Sequence, residues 1–209
     1  SNIRHYIFFS CTVMYQSSHR KQDEKKFNYQ IIDKYFGIGW TKVYIEKLCK
    51  FYSNFLDTKF TIIRHSNIFG PYDKFDLEKS HVLGATISKV MNAKKEITIW
   101  GKGNEIRDFL YISDLIKFVD LVIKKQKNKY EIYNCGSEIG IKILDLVRLI
   151  IRISGKSIKI KKNISAPTID FNLVLDCNKA KKEIGWKSEV SLSEGIKKTL
   201  MWWKKNRLI

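Results

Sequence analysis

Apolar residues come in short bursts separated by polar turns, and the spacing inside each burst predicts an element. Residues 3–9 are a near-continuous apolar and aromatic run closed by Ser10-Cys11-Thr12, as expected of a parallel strand buried on both faces. Residues 16–32 are polar without a period and read as a surface loop. From about 33 to 56 the pattern turns helical: Val43, Ile45, Leu48, Cys49 and Tyr52 recur at mixed spacings of three and four, as in a helix packed on a sheet. Residues 60–65 form a second β-rich run. Residues 67–73, built around Gly70-Pro71, are turn chemistry.

Further on, the pattern predicts a helix over 78–93 and a strand over 96–100 closed by Gly101-Lys102-Gly103-Asn104. An extended stretch at 107–112 leads into a helix to about Lys125, with Ser113-Asp114 as its cap. A strand over 130–134 ends at Gly136, and an amphipathic helix over 141–154 is stopped by Gly155. Helices over 178–184 and 192–205 complete the pattern, without internal repeats or a low-complexity linker. Strands alternating with helices up to Ser154 predict an α/β fold with right-handed crossovers. The irregular stretch after Gly155 suits a small additional lobe.

Composition narrows the class. With 44% hydrophobic and 29% charged residues in 209, the chain has the make-up of a soluble globular protein with room for one core and a small second lobe. No apolar run approaches the ~18–20 residues of a membrane span. Residues 1–10 hold one Arg before a short apolar stretch without a small-residue cleavage site, so a buried strand is expected there and not a signal peptide. Cys11, Cys49, Cys135 and Cys177 lie far apart with no CxxC pair. That spacing argues against a metal site or disulfide framework and fits a reducing cytoplasm. A net charge of +18 raises nucleic-acid binding. The lysines are scattered, however: Lys47, Lys74, Lys94, Lys102, Lys124, Lys142, Lys179 and Lys204 all fall in different segments. No RRM, KH or C₂H₂ pattern occurs, so nucleic acid is not the expected partner. A positive field would still help to collect an anionic nucleotide.

Several motifs occur in one order along nearly the whole chain. Phe9-Ser10-Cys11-Thr12-Val13-Met14-Tyr15 is a Ser/Thr-rich strand end closing in Val-x-Tyr. Arg64-His65-Ser66-Asn67-Ile68-Phe69-Gly70-Pro71 fits Arg-x-x-Asn-x-Tyr-Gly-Pro with Phe for Tyr. Gly101-x-Gly103 is followed by Arg107-Asp108-Phe109-Leu110-Tyr111-Ile112-x-Asp114, and Leu175-Asp176-Cys177-Asn178-Lys179-Ala180 leads to Gly185-Trp186. This ordered set resembles the extended short-chain dehydrogenase/reductases, the NAD-dependent epimerase/dehydratase family. Phe75-Asp76-Leu77-Glu78-Lys79-Ser80-His81-Val82 is similar to a segment of its GDP-L-fucose synthase-like members, which epimerise and then reduce 4-keto-6-deoxy sugar nucleotides.

The resemblance implies the C-terminal part of a Rossmann-type parallel sheet plus a small mixed α/β substrate lobe. Residues 1–70, with parts of 107–140, would belong to the dinucleotide-binding domain, and residues 71–209 mainly to the substrate lobe. It further implies a nucleotide-diphosphate sugar as substrate, NAD or NADP as cofactor, a cytoplasmic homodimer and no membrane. The family passes a hydride at C4 of a sugar and pairs a Tyr with a Lys four residues later, one helical turn apart. Lys42 matches that Lys, but Ile38 stands where the Tyr is expected. Tyr35, seven residues before Lys42, is the candidate displaced acid/base. Cys11 and Thr12 match the carbonyl-binding Ser/Thr position, with Ser10 as a further hydroxyl and cofactor contact. A thiol is a poor donor, which favours a hydroxyl in that role. His81 matches the His that, with a Cys, works on the carbons flanking the ketone, and histidine can exchange protons near neutral pH. His65 and Ile68, with Lys42, match the nicotinamide site; Asn67, Lys89, Trp100 and Arg107 match positions that contact the nucleotide sugar. Arg107 suits a diphosphate through bidentate, charge-assisted bonds. The family's Gly-x-x-Gly-x-x-Gly turn, which holds the pyrophosphate at a helix N-terminus, does not occur in residues 1–209. The expected function is therefore an NAD(P)-dependent nucleotide-sugar epimerase/reductase lacking that segment, with an inactive nucleotide-sugar-binding remnant as the alternative.

Overall fold

The computed structural model describes residues 2–77 and 80–206. Its strands are β1 (His5–Cys11), β2 (Lys59–His65), β3 (Asn67–Phe69), β4 (Glu96–Trp100), β5 (Ile106–Tyr111), β6 (Tyr130–Cys135), β7 (Gly140–Lys142) and β8 (Lys159–Asn163). Its helices are α1 (Phe36–Tyr52), α2 (Val82–Asn92), α3 (Ile112–Lys125), α4 (Ile143–Ser154), α5 (Asn178–Ile184) and α6 (Leu192–Asn206). Short 3₁₀ turns lie at Glu24–Lys26 and Asp33–Tyr35.

β1, β2 and β6 form a parallel sheet in that order. Its register sets Cys11 opposite His65 and His65 opposite Cys135, so the carboxyl ends of the three strands finish level. In open parallel sheets ligands bind in the crevice outside those ends. One residue after β2 the chain enters β3, which pairs parallel with β5, while β5 pairs antiparallel with β7. β4 and β8 form a separate parallel pair. One core cluster, including Ile63, Leu110, Phe118, Tyr133 and Trp186, lies around the three-stranded sheet. A second, including Leu83, Ile87, Leu146, Ile150, Ile196 and Leu200, joins α2, α4 and α6. Among the described residues β1 pairs only with β2, and Ile3, Tyr6 and Phe9 beside its open edge are exposed. No helix among them is long and apolar enough to cross a membrane.

Several expectations need correction. Asn67–Phe69 is a strand, not part of the turn, because Asn67 Nδ2 donates to the Asp108 carbonyl (2.8 Å) and ties it to β5. The helix expected from residue 78 begins at Val82; Glu78 and Lys79 lie outside the described residues. Asp114 does not cap α3: it is fully buried and its Oδ2 accepts the N–H groups of Glu189 and Val190, both at 3.0 Å. The helix expected from residue 141 starts at Ile143, since residues 140–142 pair with β5. Lys159–Asn163, in the stretch read as irregular, pairs with β4 through its full length.

Candidate active site

The strand ends and the first turns of α1 build one wall of the site. Lys42 and Glu46, four residues apart, share a helix face that looks at the end of β1. The Lys42 ammonium donates to the Phe9 carbonyl (2.7 Å) and stands 4.7 Å over the Phe8 ring. Beneath it Glu46 takes Arg64 in two bonds, Nε to Oε1 at 3.1 Å and Nη2 to Oε2 at 2.7 Å. Ser10 Oγ donates to the same Glu46 Oε1 (2.6 Å) and is wholly buried. Successive strand residues face opposite sides, and the Ser10 hydroxyl faces the ion pair.

Cys11 is half-buried near Lys42. Burial pushes its thiol up, with the Val13 amide and Lys42 partly opposing, which keeps it protonated near neutrality. Thr12 is partly buried beside it. His65 Nδ1 lies 2.8 Å from the Ser66 carbonyl. Burial holds its imidazole below the ordinary histidine range, and the charges of Lys42 and His81 push the same way. His81, exposed, opens α2 at the N-cap position. The fold thus sets Cys11 beside His65 at the strand ends, with Lys42 near enough to act on both electrostatically and His81 near enough to act on His65. Ile68 is packed against the core.

Tyr35 is not on α1. It closes the preceding 3₁₀ turn, and its ring meets Phe171 edge-on at 5.9 Å. Arg107 lies over the other part of this stack, 5.4 Å from the Phe171 ring, with its guanidinium held only by the Ile106 and Ile169 carbonyls at 3.3 and 3.4 Å. No described carboxylate pairs with it; burial lowers its pKa, while Tyr35, Glu105 and Asp170 raise it. A half-buried guanidinium with unspent donors is an anion site in waiting. Ile169, to which it bonds, is flanked by Thr168 and Asp170 of a polar cavity of about 360 Å³. Ile38, one turn before Lys42, is 54% exposed and brings no acid to the crevice. Trp100 is 60% exposed, with Lys89 6.0 Å from its ring. Phe171, which orients Arg107, carries no local signal: it is a single aromatic in an aperiodic stretch.

A parallel sheet with level strand ends, a lysine from the following helix against them and a separate helical lobe beyond define a Rossmann-type α/β enzyme fold. The model of the "NAD dependent epimerase/dehydratase family" matches residues 1–136, and the chain belongs to that family. It is 33% identical over 145 residues to a probable GDP-L-fucose synthase 1 of Oryza sativa subsp. japonica, covering 68% of this chain and 44% of that one. To a GDP-L-colitose synthase of Yersinia pseudotuberculosis it is 33% identical over 170 residues, 78% of this chain and 54% of that one. The crystal structure of a UDP-glucose 4-epimerase from Thermotoga maritima, with UDP-glucose, superposes with a TM-score of 0.84 at 25% identity, over 99% of this chain and 65% of that one. The chain spans about half the length of these curated relatives.

Proposed function

We propose that residues 1–209 form the substrate-binding portion and the nicotinamide-side wall of an NAD(P)-dependent epimerase/reductase acting on a 4-keto-6-deoxy sugar nucleotide in the cytoplasm. The observation that carries this reading is Cys11 beside His65 at the level strand ends with Lys42 bonded to the end of β1; His81 within electrostatic reach of His65 and the uncommitted donors of Arg107 support it. In this assignment residues 1–70 and parts of 107–140 belong to the dinucleotide-binding domain, and the remainder mainly to the substrate lobe. Arg107 and Tyr35 flank the diphosphate, Lys89 and Trp100 border the nucleotide, and His81 moves protons at the carbons beside the ketone. Tyr35, stacked on the Arg107 side, is better placed for binding than for replacing an acid at Ile38.

The residues present fit one end of the cofactor. Lys42 and His65 can line a nicotinamide, and a neutral His65 avoids a second charge there. The Gly-x-x-Gly-x-x-Gly turn that offers convergent amides to a pyrophosphate does not occur in residues 1–209. When bound, the cofactor supplies or removes hydride at C4; the chain's own residues orient the sugar and move its protons.

Ile38 favours a second reading, a nucleotide-sugar-binding protein without reductase chemistry. Assays of NAD(P)H oxidation with a 4-keto sugar nucleotide separate the two. Turnover by the native chain supports the enzyme, while turnover that appears only on Ile38→Tyr, which restores a phenol one turn before Lys42, supports the second. A crystal soaked with a GDP-sugar should show the diphosphate within hydrogen-bonding distance of Arg107; density elsewhere contradicts both.

A further inference from the structure

The turn between β3 and α2 holds an acid that no motif drew attention to. Gly70-Pro71-Tyr72-Asp73 reverses the chain, the Asp73 N–H reaching the Gly70 carbonyl at 3.4 Å. Tyr72 stands in the left-handed region, φ 65°, where non-glycine residues persist only when their surroundings hold them. Its ring packs 4.9 Å from Trp202 of α6, and Phe75 stacks on the same indole at 5.7 Å. From the other side Ser80 Oγ donates to the Lys74 carbonyl. Gly84 of α2 lies so close beneath that an added Cβ would stand 2.5 Å from the Lys74 oxygen and 3.3 Å from Asp73 Oδ2.

These contacts fix the Asp73 carboxylate over the first turn of α2, the turn that His81 opens. Oδ1 accepts the Lys74 N–H at 2.7 Å. Oδ2 has no hydrogen-bond partner among the described residues, and neither has the His81 ring. The two interact electrostatically: burial raises the Asp73 carboxyl, while His81 and Lys74 pull it down. His81 in turn acts electrostatically on His65. Asp73 Oδ2 thus lies over the first turn of α2, at whose N-cap His81 stands, on a turn braced on both sides.

We infer that Asp73 is a positioning residue for His81: Oδ2 accepts one imidazole N–H and turns the other ring nitrogen toward the crevice of Cys11, Lys42 and His65. A carboxylate behind a histidine selects one tautomer and steadies the charged ring, which is what a proton carrier beside a ketone requires. The inference rests on His81 serving as the proton carrier proposed above.

Long-range ¹H–¹⁵N NMR of the unliganded protein reads the tautomer of each histidine directly. A single dominant His81 tautomer is expected in the native chain. It should relax to the averaged pattern of an unpaired imidazole in Asp73→Asn and be retained in Asp73→Glu, with the His5 and His19 signals unmoved as a check on folding. Should Asp73→Asn fail to fold, ¹³C titration of the Asp73 carboxyl in His81→Gln decides: its midpoint should rise, because the charge that pulls it down is gone. An averaged His81 in the native chain, the same His81 pattern in Asp73→Asn, or an unmoved Asp73 midpoint in His81→Gln overturns the pairing. Nucleotide-sugar binding is read separately, so a locked His81 in a chain that binds no sugar nucleotide would sink the proposed function and leave the pair standing.

Discussion

Arg64 and Glu46 form a doubly bonded ion pair under the strand-end residues, both side chains about 5% exposed or less. Arg64 also donates to Tyr15 Oη at 3.1 Å; burial weakens its charge, but Glu46 and Tyr15 together more than offset that. Removing one partner leaves a charge buried alone, at a cost of about 3–5 kcal/mol. Arg64→Ala should therefore lower the unfolding free energy measured in urea by that amount, whereas a surface change such as Lys124→Ala should fall within about 0.5 kcal/mol. A loss below 1 kcal/mol for Arg64→Ala would mean that water or a rearranged partner reaches Glu46. His65 gives a pH test at the same scale. Its depressed folded value means that the unfolded chain binds the proton more readily. Its contribution to stability is complete above the ordinary histidine value of about 6.5 and drains as pH falls toward the folded value. His5, also depressed by burial and Lys59, acts in the same direction. Urea unfolding between pH 7 and 5 should show stability falling with pH, and His65→Gln should flatten the slope. An unchanged slope would remove His65 from the account.

Among the elements, α2 sets local propensity against packing. Alanine in place of a mid-helix glycine ordinarily gains about 1 kcal/mol. At Gly84 the added Cβ meets the Lys74 backbone carbonyl at 2.5 Å, an overlap that costs about 1–3 kcal/mol in a packed site. Gly84→Ala is thus expected to destabilise in thermal unfolding and to disturb the turn that carries Asp73; stabilisation would show that the turn yields freely. The same contrast explains what was legible in the sequence. β4 was readable because Ile97 and Ile99 alternate with polar neighbours. β8 was not, because its single inward apolar residue, Ile160, sits among lysines on an open edge. β7 was hidden because Ile141 also fits the period of α4. The site divides in the same way. Lys42 and His81 stand out through motif, whereas the contacts made by Ser10 and Asp114 do not. Their partners, Glu46 and the amides of residues 189–190, lie 36 and 75–76 residues away, beyond any local pattern. Phe171 and Asp73 gained their roles only through contacts made by the fold.

On the scale of the whole molecule, two surfaces remain uncovered. α1 presents Phe36, Trp40, Tyr44 and Phe51 along one exposed face, spaced as a helix–helix seam. The homodimer expected of the family is proposed to bury it, since a stable interface removes about 1,200–2,000 Å² from water. Sedimentation velocity should show a concentration-dependent dimer that Tyr44→Glu shifts to monomer; an unshifted dimer would place the interface elsewhere. The open edge of β1 and the missing Gly-x-x-Gly-x-x-Gly turn bear on the cofactor. The polypeptide of residues 1–209 should bind NADPH only in the roughly millimolar range, because losing even three charge-assisted bonds of ~1.5–3 kcal/mol each lowers affinity at least a thousandfold. Saturable micromolar binding would show that the phosphates find another site.

The proposed binding of a nucleotide-sugar diphosphate at Arg107 is tested most directly by calorimetric titration with a GDP-sugar and a UDP-sugar. Saturable binding of at least one is expected, weakened about 10- to 150-fold by Arg107→Ala, the equivalent of ~1.5–3 kcal/mol of charge-assisted bonding. The loss should shrink at high salt, as an ionic contact requires. No binding of either ligand, or equal binding by native protein and Arg107→Ala, would contradict it.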